Sequence, residues 1–129
     1  MSYYFSRKVN IPYDEAIIKV TEELKKEGFG ILTEIDVKET LKKKLDVDFH
    51  KYKILGACNP QYAYKALQAE DKIGLMLPCN VIVQETPDGL VEVAAIDPIA
   101  SMQAVENNEL GEVASGVQSK LKKVIESMQ

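Results

Sequence analysis

The segment that most constrains the fold is Thr86-Pro87-Asp88-Gly89. Proline presets the backbone at the second position of a turn, and Asp-Gly supplies a side chain that bonds its own backbone and a residue free to adopt positive φ. The flanking runs, Val81 to Gln84 and Leu90 to Ala95, are strand-like, so the segment predicts an antiparallel hairpin.

Three further strands are expected before it. Ser2 to Val9 alternates Tyr3, Phe5 and Val9 with Ser6 and Lys8; Phe29, Ile31, Thr33 and Ile35 alternate with Gly30, Leu32 and Glu34; and Tyr52 to Ala57 forms a third run. Helical spacing separates them. Pro12 opens a helix with Asp14 and Glu15 at its positive end and Tyr13, Ala16, Ile17, Val20 and Leu24 on one stripe, which Gly28 stops. Asp36 and Glu39 form a capping box for a short helix carrying Val37, Leu41 and Leu45. Asn59-Pro60 reads as an N-cap with proline in the first turn, and Ala63, Ala66 and Leu67 mark the stripe that follows. At the C-terminus Leu110, Val113, Val117, Leu121, Val124 and Met128 share one helical face. The predicted fold is α+β, a two-layer arrangement in which a mainly antiparallel sheet of about five strands is backed by helices on one face. With 129 residues, 46% of them apolar, the chain suits a single domain over residues 1–129.

Face assignment by the two-residue period groups Tyr52, Ile54, Gly56 and Cys58 with Cys79, Val81 and Val83 and with Val91, Val93 and Ala95, placing both cysteines on the apolar series. The opposite series, Lys53, Leu55 and Ala57 with Asn80, Ile82, Gln84, Glu92 and Ala94, is too apolar for an ordinary wet surface. That face predicts a homodimer built through the sheet face or its edge.

Several function classes have no support. A net charge of −4 and a pI near 5.1 argue against nucleic acid as partner. The basic cluster Lys42-Lys43-Lys44 is matched by Glu39, Asp46 and Asp48 and reads as a solvated helix face. The longest nearly uncharged run, Ile73 to Gln84, is shorter than the ~20 residues of a spanning helix and contains Pro78, so no membrane segment is expected. Met1 to Phe5 enters a strand pattern without the basic and apolar regions of an export leader, so the expected compartment is cytoplasmic, with reduced thiols. Two cysteines and the single His50 lack the spacings of a zinc site, and no metal is expected. Gly28-Phe29-Gly30 is not a dinucleotide fingerprint, and Ser115-Gly116 lies within a helical pattern rather than at a nucleophile elbow. No cofactor and no catalytic residue is assigned.

The blocks Gly28-Phe29-Gly30-Ile31-Leu32-Thr33-Glu34-Ile35-Asp36-Val37, Tyr52-Lys53-Ile54-Leu55-Gly56-Ala57-Cys58-Asn59-Pro60 and Ile73-Gly74-Leu75-Met76-Leu77-Pro78-Cys79-Asn80-Val81, with Ala95-Ile96-Asp97-Pro98 as a fourth, resemble the domain of unknown function 302 family. That resemblance covers most of the chain. It implies a small α+β domain with an antiparallel-type sheet backed by helices, a dimeric state and an unassigned biochemical role, and it supplies no catalytic residues.

The polar or reactive members of these blocks, Glu34, Cys58, Asn59, Cys79, Asn80 and Asp97, form the candidate site on chemical grounds. The leading expectation is a small-molecule groove near the two Cys-Asn turns, with the amides of Asn59 and Asn80 as donors and acceptors and Glu34 and Asp97 as acceptors. One alternative is a thiol-dependent enzyme or redox sensor, with Cys58 at a helix N-terminus and Cys79 resolving its oxidised form. The other is a protein-interaction domain with silent cysteines. More ordinary roles compete for each residue: capping for Asn59, turn formation for Asn80 and Asp97, solvation for Glu34, and burial for both thiols.

Overall fold

In the computed structural model, which describes residues 2–128, the chain forms β1 (Tyr4–Val9), α1 (Tyr13–Lys26), β2 (Gly30–Asp36), α2 (Val37–Leu45), β3 (Tyr52–Cys58), α3 (Pro60–Ala69), a 3-10 turn (Ile73–Met76), β4 (Cys79–Glu85), β5 (Val91–Ile96), α4 (Pro98–Ser101) and α5 (Leu110–Glu126). The strand order is β1-β5-β4-β3-β2, and every neighbouring pair is antiparallel. Helices α1, α3 and α5 cover one face, giving the expected two-layer α+β fold.

The topology explains the length of α1. β1 and β2 occupy opposite edges, so the chain between them must cross the sheet. Five strands leave four gaps of about 4.8 Å, a width of about 19 Å; at about 1.5 Å per residue, 14 helical residues span about 21 Å. The crossing buries Ala16, Val20 and Leu24. On the same layer α5 buries its full predicted stripe, Leu110 through Val124, with Met128 beyond it. The guanidinium of Arg7 donates to the Glu126 carbonyl at 2.8 Å, placing a positive charge at the negative end of α5.

The Thr86–Gly89 turn joins β4 and β5 as expected. Gly89 has φ +83°, Gly89 N–H donates to the Thr86 carbonyl at 3.0 Å, and Asp88 accepts from both the Thr86 hydroxyl and Leu90 N–H. Lys8 of the edge strand then pairs with Asp88 at 2.7 Å. Asp36 caps α2 by accepting from Glu39 N–H at 3.0 Å, and two lysines of the basic cluster are paired, Lys43 with Glu39 and Lys42 with Asp46 and Asp48.

Two expectations are corrected. The faces of β3 are reversed: Leu55 pairs with Val81 and Ala57 with Cys79, putting both inward, whereas Tyr52, Ile54 and Gly56 sit opposite Gln84, Ile82 and Asn80 on the uncovered face. A period of two defines two series but not which one is inward, and in β3 both series are apolar. Helix α2 forms as expected and buries none of its residues. On α3 only Ala66 of the expected stripe is buried; Ala63 and Leu67 border a cavity instead.

Candidate functional site

Because the strands alternate in direction, the start of β2, the end of β3, the start of β4 and the end of β5 all fall at the same end of the sheet. The four sequence blocks therefore converge there. At this end a cavity of about 340 Å³ opens between the sheet and helices α3 and α5. Its wall includes Leu32, Cys58, Tyr62, Cys79, Met102 and Val117, and it is overwhelmingly apolar.

Local sequence builds each wall. Strand β2 carries a bulge between Ile31 and Thr33, which shifts its register against β3 and turns Leu32 toward the opening. The β3 alternation ends at Cys58, where the chain bends into α3 through Asn59 and Pro60, so Cys58 lines the cavity although its neighbour Ala57 is also inward. The Leu77–Pro78 peptide, which is cis, leads into β4 and presents Leu77, Pro78 and Cys79. Helix α3 is held close to α5 at Gly116, where a β-carbon would lie 2.6 Å from the Tyr62 ring.

The candidate residues separate into three groups. Cys58, Asn59 and Cys79 meet at the cavity. Asn80 lies one residue beyond Cys79 and so points to the uncovered face, where it is exposed. Glu34 and Asp97 join neither: Glu34 is exposed on edge strand β2, and Asp97 caps α4 by accepting from Ile99 N–H at 3.0 Å and Gln118 Nε2 at 3.1 Å. Asn59 occupies the N-cap position of α3, but its side chain makes no cap bond. Its Nδ2 donates to the Glu27 carbonyl at 3.2 Å, and a β-carbon on Gly28, whose φ is +87°, would approach that Nδ2 to 3.1 Å. Asn59 thus ties the end of β3 to the turn before β2. Tyr62, Met102 and Val117 were outside the candidate set, because an apolar residue on a helix carries the same signal whether it faces core or cavity.

The two thiols differ. Cys79 is buried, and burial first, with Cys58 adding, pushes its pKa up to about 11; Cys58 is half-buried. Tyr13 is also pushed up, to about 12, by burial first and then by Asp36, Asp14 and Glu85. Both folded values exceed the ordinary 9 and 10, so the unfolded chain ionises first. The resulting stability is fully present below pH 9 to 10 and is lost as pH rises toward 11 to 12. We expect alkaline unfolding in that window, a shallower pH dependence for Tyr13→Phe in denaturant melts, and slower maleimide labelling of Cys79 than of Cys58 in the folded protein. Equal labelling rates, or an unchanged alkaline limb in Tyr13→Phe, would contradict this electrostatic account.

Among the described residues, no group of three or more His, Cys, Asp or Glu is placed to hold a metal ion, and no helix is long and apolar enough to cross a membrane.

These features define a two-layer α+β domain with an apolar cavity where four strand termini meet. The chain belongs to the family described as Domain of unknown function DUF302, whose model matches residues 5–128. It is similar to the crystal structure of an uncharacterized conserved protein of that family from Bacillus stearothermophilus, with 28% identity over 100% of both chains and a TM-score of 0.92. No curated protein matches the chain.

Proposed function

We propose that the domain is a small-molecule binding module whose cavity takes a compact, largely apolar ligand of about a dozen heavy atoms. The observation that carries this reading is the cavity itself: about 340 Å³ behind Cys58, Tyr62 and Val117, with almost no polar wall. A dry cavity of about 150 Å³ already holds benzene, so this one has room for two fused rings or a short branched chain. Asn59 and Tyr62 border an otherwise apolar wall, and that wall would supply most of the affinity. Thiol chemistry draws support from the two cysteines sharing this wall. The raised pKa of Cys79 opposes it, because the thiolate is the reactive form.

The test uses 2-naphthol as probe. The chain contains no tryptophan, so the naphthol emission is read with little protein background. Saturable one-to-one binding is expected, and Ala63→Phe, which extends a ring from α3 into the cavity, should weaken it at least tenfold. Equal binding by the folded Ala63→Phe protein would remove the cavity as the site.

A further inference from the structure

The uncovered face of the sheet carries a second groove, of about 380 Å³, on the side away from the helices. Tyr3, Tyr4 and Tyr52 line it together with Glu92, Asn80 and Ile82. Tyr3 and Tyr4 meet edge to face with ring centroids 5.0 Å apart. Burial, then Tyr3 and Glu92, raises the pKa of Tyr52, consistent with all three groups bordering one groove.

An orienting hydrogen-bond chain runs from His50, outside the groove, through Gln84 to Glu92 in its wall. Gln84 Nε2 donates to Glu92 Oε1 at 2.9 Å, and Gln84 Oε1 lies 2.8 Å from His50 Nε2. A carboxylate only accepts, which fixes the Gln84 amide orientation and makes His50 Nε2 the donor. Glu92 is thereby held in place without being neutralised. Lys8 is opposite it in the β1–β5 register, but the Lys8 ammonium is turned to Asp88 at 2.7 Å. Among the described residues Glu92 makes no ion pair within 4.0 Å, although it is half-buried.

We infer that this groove binds a small organic ammonium ion, with Glu92 as counter-charge and the rings of Tyr3, Tyr4 and Tyr52 along its walls. A fixed carboxylate among aromatic rings selects for a cation with an apolar surface, since each ring face carries negative potential and the carboxylate supplies the net charge. A metal cation is disfavoured, because one carboxylate and two amides are too few hard oxygen ligands. An anion would meet the Glu92 carboxylate, with the Lys8 ammonium turned away to Asp88. A purely apolar occupant would leave the half-buried carboxylate uncompensated.

The probe is choline, compared with its neutral isostere 3,3-dimethylbutan-1-ol in NMR titrations of the full chain. Choline should give saturable shifts at Tyr52, Ile82, Glu92 and Ile96, with at least tenfold tighter binding than the isostere. Glu92→Gln preserves an acceptor for Gln84 and should weaken choline at least tenfold while leaving the isostere unchanged. Tyr52→Leu should weaken choline and Tyr52→Phe should not. Three results would overturn the proposal: no saturable shift, equal binding of both probes, or shifts at these residues that follow protein concentration instead of choline, which would assign the face to a second copy of the chain. Because the 2-naphthol test reads the cavity on the other side of the sheet, failure here leaves the cavity reading separately decidable.

Discussion

Replacing Gly56 with valine is expected to destabilise the domain by about 3 kcal/mol. Glycine inside a strand is ordinarily a liability, and a β-branched residue there should stabilise by the propensity rule. At Gly56 the sign reverses. A β-carbon built on this residue would run into the Thr33 hydroxyl, and it would lie 2.8 Å from Pro78 Cγ. Thr33 faces Gly56 across the β2–β3 pairing just after the bulge, and Pro78 is held by the turn into β4, so a β-carbon here needs both a turned Thr33 hydroxyl and a shifted proline ring at the end of the sheet. Urea unfolding at neutral pH measures the loss. Thr33→Ala should recover part of it, since the two positions are in contact and their effects do not add. A Gly56→Val protein as stable as the parent would show that β2 and β3 are not packed in this register.

Leu121→Ala should cost about 3 kcal/mol, within the range of roughly 2–5 kcal/mol for truncating a buried leucine. Leu121 is fully buried at the centre of the α5 stripe, between Val117 and Val124. The thermal midpoint should fall by about 10 °C for a domain of this size. Ile18→Ala serves as the control, because Ile18 lies on the exposed side of α1 and should change the midpoint by no more than about 2 °C. Similar losses at the two positions would mean that α5 is not docked on the sheet as described.

Some of this architecture was legible in the residues alone. The α1 and α5 stripes, the Thr86–Gly89 hairpin and the Asp36 cap are local: spacing, turn chemistry and one side-chain acceptor decide them, and the structure agrees at each. The facing of β3 was not legible, since Tyr52–Cys58 is apolar on both sides and only the pairing with β4 shows which series is inward. The 3-10 turn at Ile73–Met76 and the short helix Pro98–Ser101 carry weak local signals and were not anticipated.

The site follows the same division. Cys58, Asn59 and Cys79 could be picked out as reactive or polar residues at strand ends, and the antiparallel order brings them to one cavity. Tyr62, Met102 and Val117 could not, because helical periodicity does not distinguish a residue packed in the core from one facing empty space. Asn59 shows the limit of motif reading: Asn-Pro announces a cap, whereas the side chain bonds the Glu27 carbonyl, 32 residues earlier in the chain. The pairing of Lys8 was equally hidden, since the sequence does not reveal that Lys8 lies opposite Glu92 in the β1–β5 register or that its ammonium turns to Asp88 instead.

The central claim is that the cavity at the convergent strand ends is a ligand site, and methyl NMR during a 2-naphthol titration tests it most directly. Saturable shifts are expected at Met102, Val113 and Val117, with intermolecular contacts from the naphthol ring to those methyls and none to Ile54 or Ile82 on the opposite face. Shifts confined to Ile54 and Ile82, or no saturable change at the cavity methyls, would contradict it.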